Sequence, residues 1–409
     1  MIYNAIIIGG GPGGLMAANQ LEKQNINYLL LEKNDTCGKK LLLTGGKRCN
    51  VTNHLPLKDF ISTLTFKHKR FLYPALSTFG ASDVLHFFKT KNLDFVLENN
   101  FKYFPKTEKS RSVLEALLKN VSSKRIKYNQ SVKSIHYKDN LYILKTKNNT
   151  YQAKNVIVAT GSNSFPTTGS SGDGLIFAKH LGINYFEFTP AETHVYSSQI
   201  KQNFKDLQGV AIQKTTVQIK NTKIKYTGDL LFTHFGLSGP VIMHLSEFID
   251  QDIKEHGSST LSFSFIHMHQ DALFDILIND KQQMLHKVLQ TYTTKRNVEV
   301  LLNYLSIPSK KIIEIKKKDL YLICKTFTNF EVLIDKVEQK ERAYVNKGGI
   351  DTKALNPKTM EVKTYPGLHF IGETTDLHGP IGGYNITIAL STGYIAANHI
   401  ISKIKGDLT

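Results

Sequence analysis

Two apolar runs near the start of the chain, Ala5-Ile6-Ile7-Ile8 and Tyr28-Leu29-Leu30-Leu31, show no alternation of polar and apolar positions. Strands buried on both faces, as in a parallel sheet, read this way. Between them Leu15, Ala18 and Leu21 recur at helical spacing. Residues 4–32 therefore predict strand, glycine turn, helix, strand. Residues 71–127 predict mostly helix, 131–147 a pair of strands, and Asn155-Val156-Ile157-Val158-Ala159 another buried strand. Beyond Pro190 the pattern alternates, as in Thr215-Thr216-Val217-Gln218-Ile219 and Thr260-Leu261-Ser262-Phe263-Ser264-Phe265. That period predicts an antiparallel β region across 191–270. Over 275–330 helical spacing returns through Leu285, Val288 and Leu289, then Val298, Leu301, Leu302 and Leu305, with Pro308 separating two helices. Leu368-His369-Phe370-Ile371 is a last buried strand. The simplest assembly is an α/β protein with a discontinuous Rossmann-type domain, 1–190 and 342–409. An antiparallel β insert domain (191–274 and 331–341) and a small helical insert domain (275–330) interrupt it.

Between the first strand and helix, Gly9-Gly10-Gly11-Pro12-Gly13-Gly14 satisfies G-x-G-x-x-G. Gly9 allows the tight turn, Gly11 lets the backbone approach a pyrophosphate, and Gly14 lets helix and sheet pack closely. The helix N-terminus adds N–H donors and a positive dipole end. Glu32 ends the second strand where an acid binds ribose hydroxyls, which argues against a 2′-phosphate there. Two further turns favour FAD over NAD: Ala159-Thr160-Gly161 after the middle strand, and Gly372-Glu373 with Asp376 after the last one. Gly382-Gly383-Tyr384-Asn385-Ile386 then leads into a helix over 387–401, whose N-terminus suits the flavin N1–O2 edge, where charge builds on reduction.

Leu43-Thr44-Gly45-Gly46-Lys47-Arg48-Cys49-Asn50-Val51-Thr52-Asn53 resembles the (S/T)-G-x-(G/K)-R-C-N-x-T-N signature of the bacterial BaiN/RdsA-type flavoproteins, also called the aminoacetone oxidase family. Gly228-Asp229-Leu230-Leu231-Phe232-Thr233-His234-Phe235-Gly236-Leu237-Ser238-Gly239-Pro240 resembles a second block of that family, and Gly348-Gly349-Ile350 and Gly382-Gly383-Tyr384-Asn385 its closing blocks. The resemblance spans essentially the whole chain. Lys47 stands where small residues are common. The resemblance implies tightly bound FAD, with Lys33, Lys40, Gly45, Arg48, Cys49, Asn50 and Val132 joining the glycine-loop residues around it. It also implies two substrate classes. One is a uridine of 23S rRNA, reduced to dihydrouridine with NADPH or NADH as transient donor. The other is a small molecule, an amine such as aminoacetone or an enone such as a bile-acid intermediate.

The hydride chemistry belongs to a flavin, and the protein orients substrate and moves protons. Cys49 follows the basic pair Lys47-Arg48, which would lower a thiol pKa. It is a candidate acid for protonating a substrate carbon, or else a small residue packed under the cofactor. His234 is a second catalytic candidate, or else a core histidine. Arg48 suits an anion, and Tyr384 and Asn385 suit flavin or substrate, or capping of the last helix. Cys37 and Cys49 are twelve positions apart, unlike the C-x-x-x-x-C of a disulfide reductase. Gly169-Ser170-Ser171-Gly172-Asp173-Gly174 has the wrong spacing for a second dinucleotide loop. No His/Cys group has zinc-motif spacing, and no metal is expected.

Net charge changes the picture more than composition does. The 409 residues carry a formal +18, which favours a polyanionic partner. The excess is clustered: net +7 over 39–70, +8 over 100–138 and +6 over 276–330, so the remainder is slightly acidic. Aromatics are interleaved, as in Phe101-Lys102-Tyr103-Phe104-Pro105-Lys106, a texture that suits stacking on unpaired bases. Three cysteines are too few for a disulfide framework and point to a reducing cytoplasm. No apolar run approaches the roughly 20 residues of a membrane span, and Ala5–Ile8 is too short for a signal peptide.

Overall fold

The computed structural model describes residues 1–99 and 101–406; the final three positions of segment 342–409 lie outside the described residues. The chain divides into two compact units, Met1–Thr189 with Lys340–Thr409, and Pro190–Gln339.

In the first unit, strand Ile2–Ile8 lies parallel between Tyr28–Leu31 and Thr150–Val158. Ile126–Lys127 extends the sheet on one side. On the far edge of Thr150–Val158, its first half pairs with Leu141–Lys145 and its second half with Leu368–Phe370. Ala5–Ile8, Tyr28–Leu31 and Val156–Val158 are all buried, which explains their unbroken apolar character. The predicted strand pair is a hairpin, Ser134–Lys138 with Leu141–Lys145. Its two-residue loop, Asp139-Asn140, has positive φ at both positions, the geometry that matches the twist of paired strands. Helix Pro12–Lys23 begins with proline after Gly11, where a missing N–H costs nothing. It buries Leu15, Met16, Ala17, Ala18 and Leu21. Helix Tyr384–Lys405 packs beside it. The stretch 71–127 holds helices Tyr73–Thr78, Ala81–Lys89 and Ser110–Leu118. It also supplies strands Phe95–Glu98 and Lys102–Pro105 of a small antiparallel sheet with Thr52–Asn53, which the periodicity does not reveal.

The second unit is built on an antiparallel sheet in the order Phe330–Ile334, Ser259–Phe263, Ala211–Ile219, Lys225–Phe232, Gly236–Ser238, Val195–Tyr196, Lys336–Val337. A helix, Pro240–His256, interrupts the segment read as β. Helices Gln270–Asn279, Leu285–Gln290, Lys295–Tyr304 and Lys317–Thr328 follow. Leu289, Leu301 and Phe327 from these helices share one core with Phe232, Phe263 and Phe330 of the sheet. Sheet and helices therefore form one body where the sequence suggests two inserts: neither layer has a second face on which to close a core alone.

Candidate functional site

The first unit contains a cavity of about 330 Å³ where the C-terminal ends of its parallel strands meet the glycine loop, within the usual range for ligand sites. Most of the residues singled out in the sequence line it: Gly9, Gly11, Pro12, Gly13, Glu32, Lys33, Lys40, Gly45, Asn50, Val132, Ala159, Thr160, Gly161, Gly372, Glu373, Gly382, Gly383, Asn385 and Ile386. Residues up to 377 positions apart, Gly9 and Ile386, converge because parallel strands deliver their C-terminal ends to one edge. At Gly11 an added Cβ would meet no heavy atom within 4 Å, so the loop leaves open space where a pyrophosphate would lie.

Most charged groups in the wall are paired. The Glu32 carboxylate accepts hydrogen bonds from the Gly10 amide at 2.7 Å and from the Asn34 amide and side chain, both at 2.8 Å. Lys40 bonds Glu373 at 2.7 Å and also reaches Ser164, and Lys33 pairs with Asp173 at 2.7 Å. Two buried wall atoms, Asn50 Oδ1 and Thr160 Oγ1, have no hydrogen-bond partner within the described residues. Together with the opening at Gly11 and the two helix N-termini, these atoms fit a dinucleotide that brings its own polar groups.

The signature block acts as a clasp. The Asn50 amide donates to the carbonyls of Thr52 and Tyr103, and the Asn53 amide donates to the Gly382 carbonyl at 3.0 Å. Thr52 and Thr387 share a hydroxyl contact at 2.8 Å. These bonds tie the loop to the N-terminus of the last helix, and Asn385 braces that turn by exchanging two bonds with the backbone of Gly379. Lys47 and Cys49 both adopt left-handed backbone, which explains why small residues suit position 47.

Several expectations change. Cys49 is fully buried and does not line the cavity. Burial pushes its thiol up to about 12, the Thr44 hydroxyl offsetting part of this, whereas the neighbouring basic pair was expected to lower it. Arg48 turns away from the cavity, bonds Glu98 and Glu108, and lies over the Phe104 ring at 4.4 Å. Its charge is spent on two carboxylates, so it is not the anion ligand expected. Asp376 accepts from the Gly348 amide at 3.1 Å and stands outside the cavity lining, with burial raising its carboxyl above the usual range. Tyr384 is buried against Phe60 at 4.6 Å between ring centroids, and Gly14 packs the helix onto the loop. His234 belongs to the second unit, exposed at a bend rather than in an apolar strand.

The sequence reading missed Thr44, Lys102, Phe104, Gln130, Thr168, Gly169, Ser170, Asp173 and Tyr344 in the lining. Gly169–Gly174 lacks the spacing of a dinucleotide loop, yet its Gly169, Ser170 and Asp173 line this cavity. Among the described residues no helix is long and apolar enough to cross a membrane.

Comparison with known proteins agrees with this geometry. The HI0933-like protein Rossmann domain model matches residues 3–399. The ribosomal RNA dihydrouridine synthase of Escherichia coli K12 is 26% identical over 98% of both chains. The 3-dehydro-bile acid delta(4,6)-reductase of Clostridium scindens is 25% identical over 95% of this chain and 97% of its own. A 3-ketosteroid-delta4-(5alpha)-dehydrogenase structure from Rhodococcus jostii RHA1 shares the fold, with a TM-score of 0.51 at 12% identity, covering 97% of this chain and 96% of its own.

Proposed function

The chain belongs to the HI0933-like Rossmann family and is a flavin-dependent oxidoreductase, and from that premise we propose that it reduces a uridine of 23S rRNA to dihydrouridine. When bound, FAD supplies the hydride, drawn from transiently docked NADPH or NADH. The observation that carries the choice of RNA is the clustering of positive charge. A small-molecule reductase has no need of it, whereas a phosphate backbone does. On the second unit, Lys316, Lys317 and Lys318 are exposed beside a stacked pair, Phe274 and Tyr321, with ring centroids 4.2 Å apart. Lys317 Nζ lies 6.0 Å from the centre of the Phe274 ring. Cation and exposed aromatic together suit unpaired bases.

Reduction of the uridine ring places a hydride on one carbon of the double bond and a proton on the other. We assign the proton to Cys49, relayed through Thr44. The Thr44 hydroxyl donates to the Leu41 carbonyl at 2.7 Å; in the relay it turns from that carbonyl, gives its proton to the substrate carbon and takes the thiol proton in exchange, and solvent then reprotonates the thiolate. Thr44 lines the cavity although Cys49 does not. A thiol held protonated is the form an acid requires. Glu32 and the glycine loop orient the adenosine half, and the clasp at residues 50–53 holds the helix N-terminus in place.

The likeness to a bile-acid reductase favours a second reading, an enone as hydride acceptor. The test is mass spectrometry of 23S rRNA from a strain lacking this gene and from its parent. The RNA reading expects one dihydrouridine in the parent that disappears in the deletion strain. Equal content in both, or none in either, overturns it.

A further inference from the structure

We propose that Glu361, His369 and His399 form a binding site for a divalent first-row transition-metal ion, zinc in the first instance, away from the flavin cavity. The three residues come from separate pieces of the first unit. His369 lies in strand Leu368–Phe370, Glu361 faces it across an isolated antiparallel bridge, and His399 is carried by the last helix. Spacing along the chain hides the group, since positions 361, 369 and 399 match no zinc motif.

One donor atom from each residue lies within 4.8 Å of the other two. His369 Nε2 and His399 Nδ1 are 3.0 Å apart and would bind the ion together; the 3.9 Å approach of Glu361 Oε2 is to the other ring nitrogen of His399, Nε2, which stays outside the coordination shell. With Zn–N bonds of about 2.0–2.1 Å, the edge of a tetrahedral site is about 3.3 Å. The histidine nitrogens thus need to part by only a few tenths of an ångström. His369 is fully buried, while the side chains of His399 and Glu361 keep 11% and 21% exposure. That leaves an open side for water as the fourth ligand. The second oxygen of Glu361 accepts from the Gly367 amide at 2.6 Å, the kind of outer hydrogen bond that orients a ligating carboxylate. Lys403 Nζ, 3.4 Å from that same oxygen, sets a like charge beside an incoming ion.

The ion would pin the last helix to the edge of the parallel sheet. Both elements lead to the cavity, the strand through Gly372 and the helix through its N-terminus at Tyr384. The site therefore fixes the register of two cavity walls without touching the flavin.

The test uses the full-length FAD-loaded protein, stripped with a chelator and dialysed against Zn²⁺ buffered by a chromophoric competitor. The expected result is one zinc per chain, with His399→Ala and Glu361→Gln each weakening binding about tenfold or more, a loss typical of disturbed metal sites. Lys403→Gln is expected to tighten binding by removing the competing charge. Zinc should also raise the melting temperature of the wild type and leave that of Glu361→Gln unchanged. Absence of bound zinc in the wild type, or an affinity indifferent to Glu361→Gln and Lys403→Gln, overturns the proposal. If His399→Ala does not fold, those two variants at the partly exposed edge still decide it.

Discussion

Gly11 and Gly14 stand in one loop but answer to different constraints. A Cβ on Gly14 would lie 2.0 Å from the Gly9 carbonyl oxygen, whereas on Gly11 it meets nothing. Gly11→Ala should leave the melting temperature of flavin-free protein essentially unchanged while weakening FAD in a fluorescence titration by about tenfold or more. Gly14→Ala should lower that melting temperature, since overpacking costs about 1–3 kcal/mol. If Gly11→Ala binds FAD normally, the loop does not face the cofactor. Cys49 tests the proton route. With its thiol raised to about 12 by burial, alkylation of the folded protein at pH 8 should be slow, because the thiolate is the reactive form. Cys49→Ala and Thr44→Val should both lower the rate of substrate reduction by about 10²-fold or more, the range for a lost general acid, with FAD retained. A loss confined to Cys49→Ala would disprove the relay, and no loss in either would leave Cys49 as packing alone.

The helix Lys317–Thr328 carries a cost that folding does not explain. Lys316 sits at its N-cap, followed by Lys317 and Lys318, and all three are exposed. Cations at a helix N-terminus oppose the macrodipole by about 0.3–1 kcal/mol each. Replacing the three with glutamine should therefore raise the melting temperature slightly while weakening RNA binding. A destabilised triple variant would make them structural. Features imposed by local chemistry were legible in advance: the glycine loop, whose turn needs those residues, and the three central strands, whose unbroken apolar runs admit little else. The helix Pro240–His256 was also signalled, by Gly239-Pro240 at its start and Gly257 with positive φ at its end, but the alternation around it outweighed those marks. Strands Thr52–Asn53 and Phe95–Glu98 are too short to express a period. Partners of charges were the least legible, because pairing is a long-range fact. Arg48 meets Glu98 fifty positions away, and Asp376 meets Gly348 across twenty-eight.

Across the molecule, charge and cofactor separate the possible substrates. Each phosphate neutralised releases counterion, so binding to rRNA fragments should fall steeply with salt. The three-lysine variant should flatten the log–log slope by about two to three. NADPH or NADH should bleach the flavin anaerobically, whereas aminoacetone should not; bleaching by aminoacetone, with peroxide formed on re-aeration, would instead mark an amine oxidase. The decisive experiment supplies the reduced holoprotein, without oxygen, with unmodified 23S rRNA transcript. Mass spectrometry should find close to one dihydrouridine per RNA, formed as flavin absorbance returns and absent when FAD is omitted. A flavin that stays reduced in the presence of RNA, yet is promptly reoxidised by a steroid enone, would contradict the assignment.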